Sequence, residues 1–191
     1  MERVLALLGS PRKSGNSETL AGAVLDGMRE EGGEPEVVRL CDLKINPCLS
    51  CGGCAKTGAC VLEDDMDLLY HKLITYPRII MAAPIFFYGI PAQAKAFVDR
   101  CQALWSRKQI LKQQGKWKVD GSRKGFLVSV AATQGERVFE GAILTMQYAF
   151  DAMGLAYSGE VLVRGVDHRG EMQKARKEMV EAREAGRRFM A

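Results

Sequence analysis

Residues 3 to 20 read RVLALLGSPRKSGNSETL. The first six form a short apolar run closed by Gly9, Ser10 and Pro11, as expected of a buried strand running into a turn. From Asn16 the apolar residues recur at helix period, with Leu20, Val24 and Met28 one above another and Leu25 beside them. EEGG at 30 to 33 stops this helix, with Gly32 or Gly33 as its C-cap. A buried strand feeding a helix through a Gly/Ser loop is the first unit of an α/β sheet.

Outward from that unit the alternation repeats. EVVRL (36 to 40) reads as a second strand, followed after a short link by a cysteine-rich segment. DDMDLLYHKLITY (64 to 76) reads as a helix starting near Asp64 or Asp65, with acids in its first turn. RIIMAAPI (78 to 85) is nearly continuous apolar, as a central parallel strand covered on both faces would be. A helix follows from about Pro91 to Trp105, then a strand at 125 to 133 and a helix from about Val138 to Met153. A final strand at 155 to 163 and a charged closing helix at 171 to 188 complete the chain. Five strand–helix alternations without duplication predict a doubly wound sandwich around a five-stranded parallel sheet. Ligands of such sheets sit outside the C-terminal strand ends, where strand order reverses. The loops beginning at Gly9, Cys41, Pro84 and Ala132 are therefore the candidates.

The 191 residues suit a single domain, 1 to 191, and 47% apolar with 26% charged residues suits a soluble globular chain. No apolar run approaches a bilayer span, and MERVLALLGSPRK lacks the features of a secretory signal, so a cytoplasmic protein without a membrane partner is expected. Structural disulfides are rare there. The net charge of +4 is concentrated at 105 to 124, where Arg107, Lys108, Lys112, Lys116, Lys118, Arg123 and Lys124 face only Asp120. That basic insertion is a candidate lid, subunit contact or attractor of nicotinamide-nucleotide phosphates. It carries no nucleic-acid motif, and no nucleic-acid partner is expected. His71 and His168 read as solvated or locally bonded, and no catalytic triad is evident.

The loop at 9 to 20 offers the hydroxyls of Ser10, Ser14, Ser17 and Thr19, together with Gly15, Asn16 and Arg12, at a helix N-terminus. Unpaired N–H groups and the favourable dipole end make that a seat for phosphate. Five residues rather than four separate Gly9 from Gly15, and Asn16 stands where a Walker lysine belongs. GxGxxG is also absent, so the ligand fits better as a terminal monophosphate held by hydroxyls and amides.

CLSCGGCAKTGAC (48 to 60) holds four of the chain's six cysteines, as C-x2-C-x2-C-x5-C. Cys48, Cys51, Cys54 and Cys60 suit an iron–sulfur cluster, whose thiolates converge from one compact loop. Zinc sites more often use two separated C-x2-C pairs, and free thiols or a reversible disulfide remain a further alternative. Cys41 and Cys101 match no ligand position and read as buried thiols.

GSPRKSGNSETL resembles the flavin-phosphate loop of the flavodoxin-like NAD(P)H-dependent FMN reductases and the multimeric flavodoxin-like quinone reductases. PIFFYG, comprising Pro84, Ile85, Phe86, Phe87, Tyr88 and Gly89, resembles that family's loop along the isoalloxazine ring. AATQG, with Thr133, Gln134 and Gly135, resembles the loop at the ring's other edge. Two departures stand out: Phe86 and Phe87 where many relatives carry a tyrosine and one aromatic, and Gln134 with one glycine where relatives often have two. The cysteine spacing resembles that of the iron-sulfur flavoproteins within the same group, and DDM (64 to 66) resembles their helix start. The resemblance runs from residue 3 to about 165. It implies a flavodoxin-like fold and FMN in the three loops. It also implies one [4Fe–4S] cluster on the four cysteines of a loop at about 46 to 62, and a homodimer or homotetramer. The implied function is an electron-transferring FMN oxidoreductase, with NAD(P)H, ferredoxin or a quinone as small-molecule or protein donor or acceptor. Two alternatives are a cluster-free NAD(P)H-dependent FMN or quinone reductase and a zinc or nucleic-acid-binding module.

Overall fold

In the computed structural model, which describes residues 1–191, the strand β1 (Glu2–Leu8) is buried from Val4 to Leu8. Its side chains alternate between two cores. Leu5 and Leu7 join Ile79, Met81, Phe97 and Phe150, whereas Val4 and Ala6 join Leu20, Val24 and Met28. Burial on both faces explains why this run shows no polar alternation. β1 pairs in parallel with β2 (Gly33–Arg39) on one side and β3 (Arg78–Pro84) on the other. β4 (Lys124–Ala131) and β5 (Ala156–Arg164) complete the order β2-β1-β3-β4-β5, all parallel. Strand order reverses at β1 and β3, and the loops leaving those two strands frame the crevice of a flavodoxin-like sheet.

The helix α1 (Asn16–Glu30) covers one face. The short α2 (Cys54–Thr57) interrupts the cysteine loop that leaves β2 through a 3₁₀ turn at Leu40–Asp42. α3 (Asp67–Thr75), α4 (Ala92–Arg100), α5 (Gln102–Gln113) and α6 (Glu140–Ala152) supply Leu69, Phe97, Leu104 and Met146 to the core on the opposite face. α7 (Glu171–Lys174) and α8 (Arg176–Met190) return to pack beside α1, through Met172, Ala182 and Phe189. No helix is long and apolar enough to cross a membrane.

Several boundaries differ from expectation for physical reasons. α1 is capped at Glu31, and β2 begins at Gly33, because Gly32 at φ +81° turns the chain early. α3 begins at Asp67 rather than Asp64 or Asp65, since the Asp64 carboxylate closes a turn by accepting from the Met66 N–H at 3.0 Å. The helix expected to end at Trp105 breaks at Cys101 and then continues to Gln113. Residues 105 to 113 of the basic segment are therefore helical. Two of its cations are structural. Arg123 donates to the carbonyls of Leu73 (2.8 Å), Tyr76 (3.0 Å) and Met153 (2.7 Å). Lys108 is buried against the Asp151 carboxylate at 2.6 Å, and lies 5.3 Å from the centre of the Trp117 ring.

Candidate functional site

The loop between β1 and α1 folds on its own hydrogen bonds. Ser10 Oγ accepts from Arg12 N (3.1 Å), and Ser14, at φ +54°, donates its N–H to Glu18 Oε2 (2.8 Å). Glu18 pairs in turn with Arg39 of β2, whose guanidinium also reaches the Ser10 carbonyl at 3.5 Å. This ties the loop to the neighbouring strand. The resulting pocket is walled by Ser10, Arg12, Gly15, Asn16 and Ser17, with Pro84, Ile85 and Phe86 from the loop after β3 and Ala132 from the loop after β4. Ser17 is 1% exposed, and its hydroxyl has no hydrogen-bond partner. A buried hydroxyl left unpaired costs about 1–3 kcal/mol, which a phosphate oxygen would recover.

Not every expected residue reaches this pocket. Ser14 and Thr19 lie outside its walls, as do Phe87, Tyr88, Gly89, Thr133, Gln134 and Gly135. Val166 and Asp167, from the segment after β5, complete it instead. That segment is sewn to the loop between β1 and α1. Arg12 Nη1 donates to the Asp167 carbonyl (3.4 Å), Asn16 Nδ2 to the His168 carbonyl (3.0 Å) and Arg169 to the Lys13 carbonyl (2.8 Å). Asn16 Oδ1 accepts from Met172 N (3.2 Å), so its amide holds the α7 segment in place. The readable signal was position alone, since GVDHRG follows the last strand at its C-terminal end.

The loop after β3 closes with paired bonds between Phe86 and Gly89, N···O 2.9 and 3.0 Å. Its two central residues, Phe87 at φ +49° and Tyr88 at φ +61°, adopt the left-handed conformation that such turns usually reserve for Asn and Gly. Phe87 is fully exposed at 105%, so its ring is not core. The Tyr88 hydroxyl presses on Gly135, where a Cβ would stand 2.6 Å away, so the loops after β3 and β4 meet there. Gln134 lies against Gly165. The strained turn places one bare aromatic ring beside the pocket that Phe86 lines.

All four cysteines of the x2-x2-x5 segment are free and line one cavity of about 470 Å³, with Arg100, Ala103, Trp105 and Ser106 opposite. Ser50 (φ +53°), Gly52 (φ +72°) and Gly58 (φ +73°) make the bends that wrap the loop. No three His, Cys, Asp or Glu side chains converge on a position for a single metal ion. The thiols are instead distributed around the cavity wall. Cys48 Sγ accepts from Ser50 N at 3.5 Å and Cys54 Sγ from Ser106 Oγ at 3.4 Å. Arg100 closes the neck of the loop, donating to the carbonyls of Asn46 (3.0 Å) and Leu62 (3.4 Å) on its two limbs. Asp64 completes the clasp by accepting from Arg100 (2.6 Å) and Asn46 N (2.9 Å). Burial opposes ionisation of Asp64, but the guanidinium and the N–H groups of Asn46 and Met66 outweigh it and hold the carboxyl at about 2. Cys101 is buried as expected, and burial raises its thiol well above the usual range. Cys41 is only half-buried, with its thiol donating to the Ser10 carbonyl at 3.3 Å.

Residues 2–153 match the family model described as NADPH-dependent FMN reductase. The chain is 38% identical to the iron-sulfur flavoprotein of Methanosarcina thermophila, over 64% of this chain and 65% of that one. It is 36% identical to the iron-sulfur flavoprotein MJ1083 of Methanocaldococcus jannaschii, over 64% of each. In both cases the match spans just under two thirds of the relative's length. Among solved structures, the FMN-dependent NADH-azoreductase of Bacillus anthracis in complex with FMN superposes with a TM-score of 0.69 at 14% identity, over 100% of both chains. The NAD(P)H:quinone oxidoreductase of Methanothermobacter marburgensis gives 0.68 at 17% identity, over 100% of this chain and 98% of that one. With a match over residues 2–153 and the sheet order β2-β1-β3-β4-β5, the chain belongs to the NADPH-dependent FMN reductase family.

Proposed function

We propose that the protein is an FMN-dependent oxidoreductase whose cysteine loop holds a [4Fe–4S] cluster, and that it passes electrons between the two groups and a redox partner. The carrying observation is that four free thiols from one loop line a single cavity, in a sheet whose first loop walls a pocket at the N-terminus of α1. An all-sulfur donor set suits iron–sulfur chemistry. The names of the two archaeal relatives support the same reading. FMN exchanges electrons in pairs or singly and an iron–sulfur cluster singly, which together supply a two-to-one electron converter.

In this reading Ser10, Arg12, Ser17 and the first N–H groups of α1 hold the flavin phosphate, with Gly15 and Asn16 shaping the floor. Ser14 and Thr19 act behind them, in the turn and in the first turn of α1. Pro84, Ile85, Phe86, Phe87, Tyr88 and Gly89 lie along the ring, and Thr133, Gln134 and Gly135 meet its other edge. Cys48, Cys51, Cys54 and Cys60 ligate the cluster. NAD(P)H, a quinone or a small redox protein is the partner, and a homodimer or homotetramer of single-domain subunits is the working assembly. Anaerobically purified protein should show flavin absorption with a broad brown shoulder, one FMN and about four irons per chain, as one such cluster requires. Absence of flavin would defeat the whole proposal, and FMN without iron its cluster half.

A second reading, a cluster-free NAD(P)H-dependent FMN or quinone reductase, is favoured by the dispersal of the thiols around the cavity instead of at one point. The iron assay separates the two.

A further inference from the structure

Ser106 sits in α5 and is 3% exposed, yet no bond ties its hydroxyl to the carbonyl one turn back. Serine and threonine inside helices commonly make that bond. Thr75 does so in this protein, to the His71 carbonyl at 2.8 Å, and Thr145 does so to the Gly141 carbonyl at 2.7 Å. The Ser106 hydroxyl is turned the other way. It accepts from Gln102 Nε2 at 3.5 Å and donates to Cys54 Sγ at 3.4 Å. A donor already sits behind the oxygen, so the hydroxyl proton is directed at the sulfur. Cys54 thus receives a side-chain hydroxyl, whereas Cys48 receives a backbone N–H, from Ser50.

We propose that Ser106, oriented by Gln102, sets the reduction potential of the centre held by the four cysteines, by hydrogen-bonding Cys54 Sγ. The inference rests on the cluster reading above and assigns a residue outside the cysteine motif to it. Reduction adds one electron, and negative charge, to the centre while the hydroxyl keeps its proton and no bond breaks. A hydrogen bond to a ligand sulfur therefore strengthens on reduction and raises the potential.

The test is an anaerobic redox titration of wild type, Ser106→Ala and Ser106→Thr, following the cluster by electron paramagnetic resonance and the flavin by absorption, with iron and FMN assayed on each sample. One lost hydrogen bond of about 1 kcal/mol changes the one-electron equilibrium about fivefold, or roughly 40 mV at 59 mV per tenfold. Ser106→Ala should shift the cluster midpoint to lower potential by this order with full iron content, while the flavin midpoint stays in place and Ser106→Thr restores the wild-type value. An unmoved cluster midpoint in iron-replete Ser106→Ala, or an equal shift of the flavin midpoint, overturns the proposal. Iron-free wild type carrying FMN overturns the cluster reading itself, a result read from the iron assay before any potential is measured.

Discussion

Arg100 and Asp64 form an ion pair of 2.6 Å whose side chains are 0% and 4% exposed, at the point where the two limbs of the cysteine loop come together. A single guanidinium bonds a carbonyl on each limb and the carboxylate between them. Removing one member of a buried pair leaves an uncompensated charge and costs about 3–5 kcal/mol. Arg100→Gln and Asp64→Asn are each expected to destabilise the apoprotein by this order in urea unfolding. Both should expose 46 to 62 to limited proteolysis. The double variant should fall well short of the sum, because the two residues share one network.

The same pair predicts an acid limb. The Asp64 carboxyl is depressed from 3.8 to about 2, so its stabilisation is complete above pH 3.8 and is lost as pH falls through about 2. The full difference is about 2 kcal/mol. The stability gap between wild-type apoprotein and Asp64→Asn should therefore be constant from pH 7 to 5 and narrow steadily below pH 4. A gap unchanged down to pH 3 would refute this assignment.

How much of this was legible in the sequence differs by element. The buried runs of β1, β3 and β4 announce themselves because burial on both faces removes the polar alternation, and their order directs attention to the loops after them. That Ser10, Arg12 and Ser17 wall the pocket follows from their position between a buried strand and a helix start. Arg100 does not, since an arginine near the end of a helix reads as solvated until Asp64, 36 positions earlier, is seen to face it. Asp167 and His168 also escape, because they act through main-chain carbonyls that any residue could supply. The break at Cys101 carries no Pro or Gly to mark it.

Ser17→Ala separates cofactor binding from fold. The hydroxyl is buried and unpaired in the protein alone, so removing it should leave apoprotein stability unchanged or slightly raised. FMN affinity should fall about tenfold, the value of one hydrogen bond to a charged group. Riboflavin, which lacks the phosphate, should bind both proteins equally in a fluorescence titration. A parallel loss of riboflavin binding would place Ser17 elsewhere than at the phosphate.

Phe87 is held at φ +49° with its ring in solvent, a strained conformation with no packing to offset it. Asparagine tolerates that conformation far better. Phe87→Asn should therefore raise apoprotein stability by about 1 kcal/mol, consistent with the usual strain of such a residue, and weaken FMN binding by removing an aromatic face. Thermal unfolding and flavin titration check the two halves. A loss of apoprotein stability would mean that the ring packs on the protein after all.

The crossing of α1 and α8 gives a test in which one substitution changes sign along one helix. A Cβ built on Gly27 would fall within the Arg183 carbonyl, and one on Gly186 within that of Val24, so the two backbones touch because both positions lack side chains. Gly22, also in α1, faces open space with nothing within 4 Å. Gly27→Ala must push the helices apart and is expected to cost about 3 kcal/mol or more, beyond ordinary overpacking because the obstacle is main chain. That corresponds to a fall in Tm of roughly 6–12 °C for a chain of this size. Gly22→Ala adds helix propensity without a clash and should gain about 0.5–1 kcal/mol. If Gly27→Ala proved as benign as Gly22→Ala, α8 would not be docked on α1. The Val166 and Asp167 side of the pocket at the start of α1, which the α7 segment holds through Asn16, would lose its support with it.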